Sequence, residues 1–168
     1  DINKGRTLRM LGNVMDLRLI DELREKQGST YSPQVSFSAS ALFKGYGFGY
    51  ATVETTPEHL ASFFSDVEKV AADLRDKPVE KDELDRARKP ALEAMQKNFE
   101  SNEFWLFQLS GGQTDERRHN AIRTAVEGIT RITAADIQAV AREYLKPGSA
   151  WRLMVVQEGI APPALPAQ

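Results

Sequence analysis

Apolar residues recur at steps of three or four along residues 7–26: Leu8, Leu11, Met15, Leu19 and Leu23, with Arg9, Asp16, Arg18, Asp21, Glu22 and Glu25 between them. That spacing predicts an amphipathic helix, and Gly28 beyond it is a residue suited to the left-handed turn that closes one. The period then changes to two. Over residues 31–40, Gln34, Ser36 and Ser38 alternate with Val35, Phe37 and Ala39. Over residues 45–54, Tyr46, Phe48, Tyr50 and Thr52 alternate with small residues and Val53. Two half-buried strands joined by a short link predict an antiparallel hairpin, and the glycines on one face of the second strand invite close packing there.

Helical periods return after Thr56-Pro57, a hydroxyl followed by the imino acid tolerated in a first turn. Leu60, Phe63, Phe64, Val67, Val70, Ala71 and Leu74 form a broad stripe ended by Lys77-Pro78. Residues 81–100 predict another helix, with Leu84, Ala87, Ala91, Leu92, Met95 and Phe99 on one face. Pro90 removes one of its hydrogen bonds, so a kink or short break is expected. Phe104, Trp105, Phe107 and Leu109 predict a short buried helix broken by Ser110-Gly111-Gly112. Residues 115–126 predict one helix with Ile122 and Val126 turned inward. Thr133 and Asp136 have the spacing of a capping box for a helix that Lys146-Pro147-Gly148 stops. Residues 151–156 predict a last strand, and the Pro/Ala-rich residues 159–168 a disordered tail.

Helix, two strands, several helices and a strand make an α+β domain: an antiparallel sheet with helices on one face. One domain is expected over residues 1–157, followed by a tail over 158–168. Three strands are few for a domain of this size, so further strands are expected upstream. The start at Asp1 reads as that of a processed chain or an excised fragment.

Composition narrows the function. Within 168 residues, 22 Lys+Arg against 24 Asp+Glu leave a net charge of −2, without the basic surplus of a nucleic-acid binder. No apolar run approaches a membrane span. With no cysteine, disulfide scaffolds and thiolate metal centres are excluded. His59 and His119 are the two histidines, 60 positions apart and in no zinc-binding motif, so no metal site is expected in this chain. A nucleophile elbow is absent, and Gly45-Tyr-Gly-Phe-Gly49 is not a phosphate-binding loop. Arg117-Arg118-His119, after two acids, reads as a solvated helix face.

One segment reads as chemistry. Arg24 ends a helix, Gly28 turns the chain, and Tyr31, seven positions on, opens a strand. A guanidinium and a phenol are both donors, suited to an oxygen that gains negative charge, such as a peptide carbonyl under attack. Equally, the arginine could cap helix carbonyls and the tyrosine could line a sheet edge.

Leu23-Arg24-Glu25-Lys26-Gln27-Gly28-Ser29-Thr30-Tyr31-Ser32 resembles the segment that carries an Arg/Tyr pair in the second, non-catalytic half of inverted-motif zinc metallopeptidases. These are the pitrilysin, insulinase and mitochondrial-processing-peptidase relatives. Asp82–Arg88, Asn102-Glu103-Phe104-Trp105-Leu106, and Ile132 through Asp136 to Pro147 are similar to further segments of that family, in the same order. Only Ser29 departs locally, where relatives often carry an apolar residue.

The resemblance implies the C-terminal domain of a bacterial-type zinc endopeptidase, built on a repeated α+β domain whose opening strands are missing here. Arg24 and Tyr31 would hold the scissile carbonyl of a peptide substrate and stabilise the tetrahedral intermediate. Zinc would be the cofactor of the parent enzyme, bound by an N-terminal domain or partner subunit. This chain lacks the zinc motif and is expected to be inactive alone. Nucleic acid and a membrane span are not implied; the compartment would be bacterial periplasm or cytoplasm. The alternative is an inactive homologue serving as a structural subunit or peptide-binding module.

Overall fold

The computed structural model of the chain describes residues 1–27, 33–40, 43 and 45–165. Helix α1 spans Ile2–Gln27, five residues longer at its start than its apolar stripe predicts. Its first turn is nucleated by Asp1, whose carboxylate accepts hydrogen bonds from the Asn3 and Lys4 amides. An aspartate in that position satisfies donors that the helix itself leaves open. Leu8, Leu11, Met15, Leu19 and Leu23 are all buried, as the period requires, and so are Met10 and Val14. The helix is thus enclosed on more than one side, with the sheet against it on one and helices on the others.

Strands β1 (Gln34–Ala39) and β2 (Gly47–Thr52) form the predicted antiparallel hairpin. Phe37 pairs with Gly49, Val35 with Ala51 and Ala39 with Gly47. A Cβ on Gly49 would come within 2.4 Å of the Phe37 ring, so the missing side chain is what lets that ring lie across the sheet. On its other side Phe37 meets Gly12 of α1, where an added Cβ would be 3.2 Å from the ring. Two glycines far apart in sequence therefore seat one aromatic residue between helix and sheet.

The helical layer continues with a 3₁₀ turn at Pro57–His59, α2 (Leu60–Asp76) and α3 (Lys81–Glu100). Thr56 precedes the turn in extended conformation but makes no side-chain cap. Pro90 lies inside α3, which runs through it as one helix rather than two. Then come α4 (Asn102–Gly112), α5 (Arg117–Arg123), α6 (Ala125–Thr130) and α7 (Ala134–Tyr144). The capping box of α7 is complete: the Thr133 hydroxyl accepts from the Asp136 amide, and the Asp136 carboxylate accepts from the Thr133 amide. Leu74, Leu84, Ile137, Val140 and Ala141 join the α1 residues in one core.

Five expectations are corrected. Helix α4 exists but is not buried: Leu106, Phe107 and Leu109 are more than half exposed. It also runs through Gly111 and Gly112 instead of breaking there, because Arg118 and His119 of α5 occupy the space a side chain on either glycine would need. That packing also half-buries Arg118 and His119; Arg118 lies over the Phe107 ring, while Arg117 pairs with Asp115 on the surface. The helix expected over 115–126 is two helices separated at Thr124, which shifts the phase so that Ala125 is buried and Val126 faces solvent. Finally, residues 151–156 form no β-ladder among the described residues, so the sheet there has two strands. A strand is defined by its partner, and none lies alongside. Residues 159–165 carry no regular secondary structure.

Candidate functional site

The second half of α1 is held from three directions. The Asp16 carboxylate accepts a 3.0 Å hydrogen bond from the Val35 amide at the start of β1. Arg18 grips Glu83 of α3 with two bonds of 2.6 and 2.9 Å, a bidentate geometry stronger than a simple ion pair. Glu22 pairs with Lys69 of α2 at 2.5 Å. Leu23 is buried, which leaves Arg24 on the opposite, exposed side, one turn from the helix end. Pro33 is buried where the chain returns to begin β1.

Helix and strand run antiparallel here. Asp16 meets Val35, Gly12 meets Phe37, and Gly5 lies opposite Ala39. Arg24 therefore projects from the end of α1 that extends beyond this contact. Tyr31, the second residue of the expected pair, lies outside the described residues.

Burial pushes the Asp16 carboxyl up from its ordinary value, and the Val35 amide it accepts draws it partly back. Because the folded value is raised, the stability carried by the neutral acid is fully present below the unfolded value of about 4 and is lost as pH rises through the folded one. Asp16→Asn keeps an acceptor for Val35 without a charge to desolvate. It is expected to raise the melting temperature at pH 7 and to leave it unchanged near pH 3. Calorimetry at both pH values checks this; an equal gain at both would show that the charge is not the cause.

A separate apolar groove lies between β2, α2 and residues 151–155, and Arg24 is not among its lining residues. The histidines are on different elements, His59 ahead of α2 and His119 on α5 against Gly112. Among the described residues no group of three or more His, Asp or Glu side chains is arranged to hold a metal ion. Among the described residues no helix is long and apolar enough to cross a membrane.

A protein-family model described as the peptidase M16 inactive domain matches residues 7–90. The match covers half of the chain, from α1 through the hairpin and α2 to Pro90, and the chain belongs to that family. This agrees with the resemblance to the C-terminal domain of a pitrilysin-type peptidase and implies a partner domain in the parent protein. The matched span includes Arg24, Tyr31 and the Asp82–Arg88 segment; the segments at 102–106 and 132–147 lie beyond it. Comparison with curated proteins finds no significant match.

Sequence reasoning reached Arg24 through its spacing to Tyr31. It missed Asp16, Arg18 and Glu22, which hold the helix that carries it. Their partners are 19, 65 and 47 positions away, and no local period marks such pairs.

Proposed function

We propose that this domain is the substrate-side half of a zinc-dependent endopeptidase, in which Arg24 and Tyr31 donate hydrogen bonds to the scissile carbonyl and to the oxyanion formed from it. The observation that carries this reading is the antiparallel course of α1 and β1. From the Asp16–Val35 hydrogen bond, Arg24 is eight residues further along a helix, about 12 Å at 1.5 Å per residue. The matched family span includes both Arg24 and Tyr31, and the reading requires Tyr31 to reach the same carbonyl as the arginine.

The two donors suit the work. An arginine stays charged at every physiological pH, and a phenol adds a neutral O–H; both stabilise negative charge on oxygen and neither competes as a base. Zinc would supply the activated water, held by the partner domain. What this half contributes is electrostatic: it binds the carbonyl, orients it and stabilises its charge. By this reading the domain alone hydrolyses nothing.

Arg24→Lys tests the arm of the pair that the structure describes. A compact ammonium does not reproduce the planar fork of a guanidinium, so turnover of the assembled peptidase is expected to fall tenfold or more, on the order of the loss for one oxyanion donor. Steady-state kinetics on a fluorogenic peptide measure it. Unchanged kcat in the Arg24→Lys variant would remove Arg24 from the chemistry and leave it as a helix-end cap.

A further inference from the structure

Among the described residues that form the core or pack against it, none lies between Ser101 and Thr124. Leu106, Phe107 and Leu109 of α4 are more than half exposed. Helices α4 and α5 are bound instead to each other. Arg118 and His119 of α5 fill the space left open by Gly111 and Gly112, and Arg118 lies over the Phe107 ring. At both ends the backbone leaves the helical conformation, at Ser101 (φ −92°, ψ 127°) and at Thr124 (φ −100°, ψ 11°). Beside the first break, the Trp105 indole donates to the Phe99 carbonyl at 2.8 Å and stacks on the Phe99 ring, so this contact is with the adjoining end of α3. At the second, a side chain reaches across from the body of the domain. Arg6 of α1 is 5 % exposed, and its Nη2 donates to the Ala121 carbonyl at 2.7 Å and to the Thr124 hydroxyl at 3.0 Å. Its Nη1 donates to Asn3 of its own helix.

We propose that α4 and α5 form a hinged lobe, latched to the body of the domain by Arg6 and opening as one unit while the core stays folded. Apolar burial supplies most of the free energy that holds a fold closed. A part that adds no side chain to the core therefore opens more readily than the parts that build it. The mutual packing of α4 and α5 keeps the lobe together as it moves, and the breaks at Ser101 and Thr124 are where a change of direction falls. The latch is polar. Hydrogen bonds from a charged donor are stronger than neutral ones, and both bonds from Nη2 end at the junction of α5 with α6. Gly128 of α6 makes room for this, since a Cβ there would come within 2.2 Å of Nη1. The proposal does not depend on carbonyl binding by Arg24 and Tyr31.

Hydrogen exchange read by mass spectrometry on the intact polypeptide tests it. The amides of α4 and α5 are expected to exchange about tenfold or more faster than those of α1 and α7. Arg6→Met keeps much of the side chain's bulk without its donors. It is expected to speed exchange over 104–123 by about a further tenfold and to leave α2 and α7 unchanged. Gly128→Ala reaches the same latch from another helix. Alanine is the better helix former, so without a latch the change is neutral or stabilising. With one, the added methyl displaces the guanidinium and exchange over 104–123 rises several-fold. Protection of α4 and α5 equal to that of α1 and α7 overturns the lobe. An Arg6→Met loss spread evenly over every helix, or none over 104–123, overturns the latch. If that variant fails to fold, Gly128→Ala decides: unchanged or slower exchange over 104–123 overturns the latch.

Discussion

Replacing Tyr31 with phenylalanine in the assembled peptidase is expected to lower kcat about 100-fold, with zinc content and fold unchanged. The substitution removes one oxygen atom and keeps the ring, so packing is preserved. On the proposed reading, what disappears is a single donor to an oxygen that becomes charged only as the tetrahedral intermediate forms. A 100-fold loss corresponds to about 2.7 kcal/mol, the size expected when one oxyanion donor is removed from a site shielded from water. Since the ground-state carbonyl oxygen carries only a partial charge and the oxyanion a full one, KM should move little and the loss should fall on kcat. Steady-state rates on a fluorogenic peptide, circular dichroism and metal analysis together make the check. Turnover equal to the parent would exclude a catalytic role for Tyr31, and a parallel loss of helical signal would make the residue structural.

Leu11→Ala is expected to destabilise the fold by about 3–4 kcal/mol, within the usual range for a fully enclosed leucine. Leu11 has no exposed surface and stands on α1 among residues of the one continuous core. Truncation loses its transfer free energy and leaves a void bounded by a helix that is packed on several sides and cannot collapse inward. For a domain whose total stability is on the order of 5–15 kcal/mol, the loss is a large fraction. Urea unfolding measures it. Leu106→Ala is the matched control: at 74 % exposure the same chemical change should cost less than about 0.5 kcal/mol. A comparable loss at both positions would mean that α4 is covered in solution.

These two leucines also show how far the sequence could be read. Leu11 belongs to a stripe whose spacing of three and four specifies both the helix and its buried side, and every residue of that stripe is buried. The hairpin was equally legible: alternation over residues 31–40 and 45–54 predicted two antiparallel strands, and β1 and β2 pair in that sense. Thr133 and Asp136, three positions apart, marked the start of α7 by a contact that closes within one turn. Arg24 was legible as a helix-end residue. Its convergence with Tyr31 rests on the seven-position spacing and the family motif, and Tyr31 lies beyond what the structure describes.

Other readings failed for a common reason. Phe104, Trp105, Phe107 and Leu109 are apolar enough for any core, yet helix α4 is covered mainly by α5, with Arg118 over Phe107. Val126 was assigned inward by extending one helical period across Thr124, where the backbone leaves the helix and resets the phase. Residues 151–156 have the composition and alternation of a strand, but a ladder needs a second chain at the right distance.

Residue order by itself determined which stretches are helical or extended, where most of them stop, and which side of each is apolar, because those properties arise from contacts within a turn or a pleat. Tertiary structure alone decided which apolar sides are covered, that Asp16, Arg18 and Glu22 bind α1 to three different elements, and that a groove opens between β2 and residues 151–156. Such outcomes depend on partners tens of positions away, and the free energy of meeting them leaves no period in the chain.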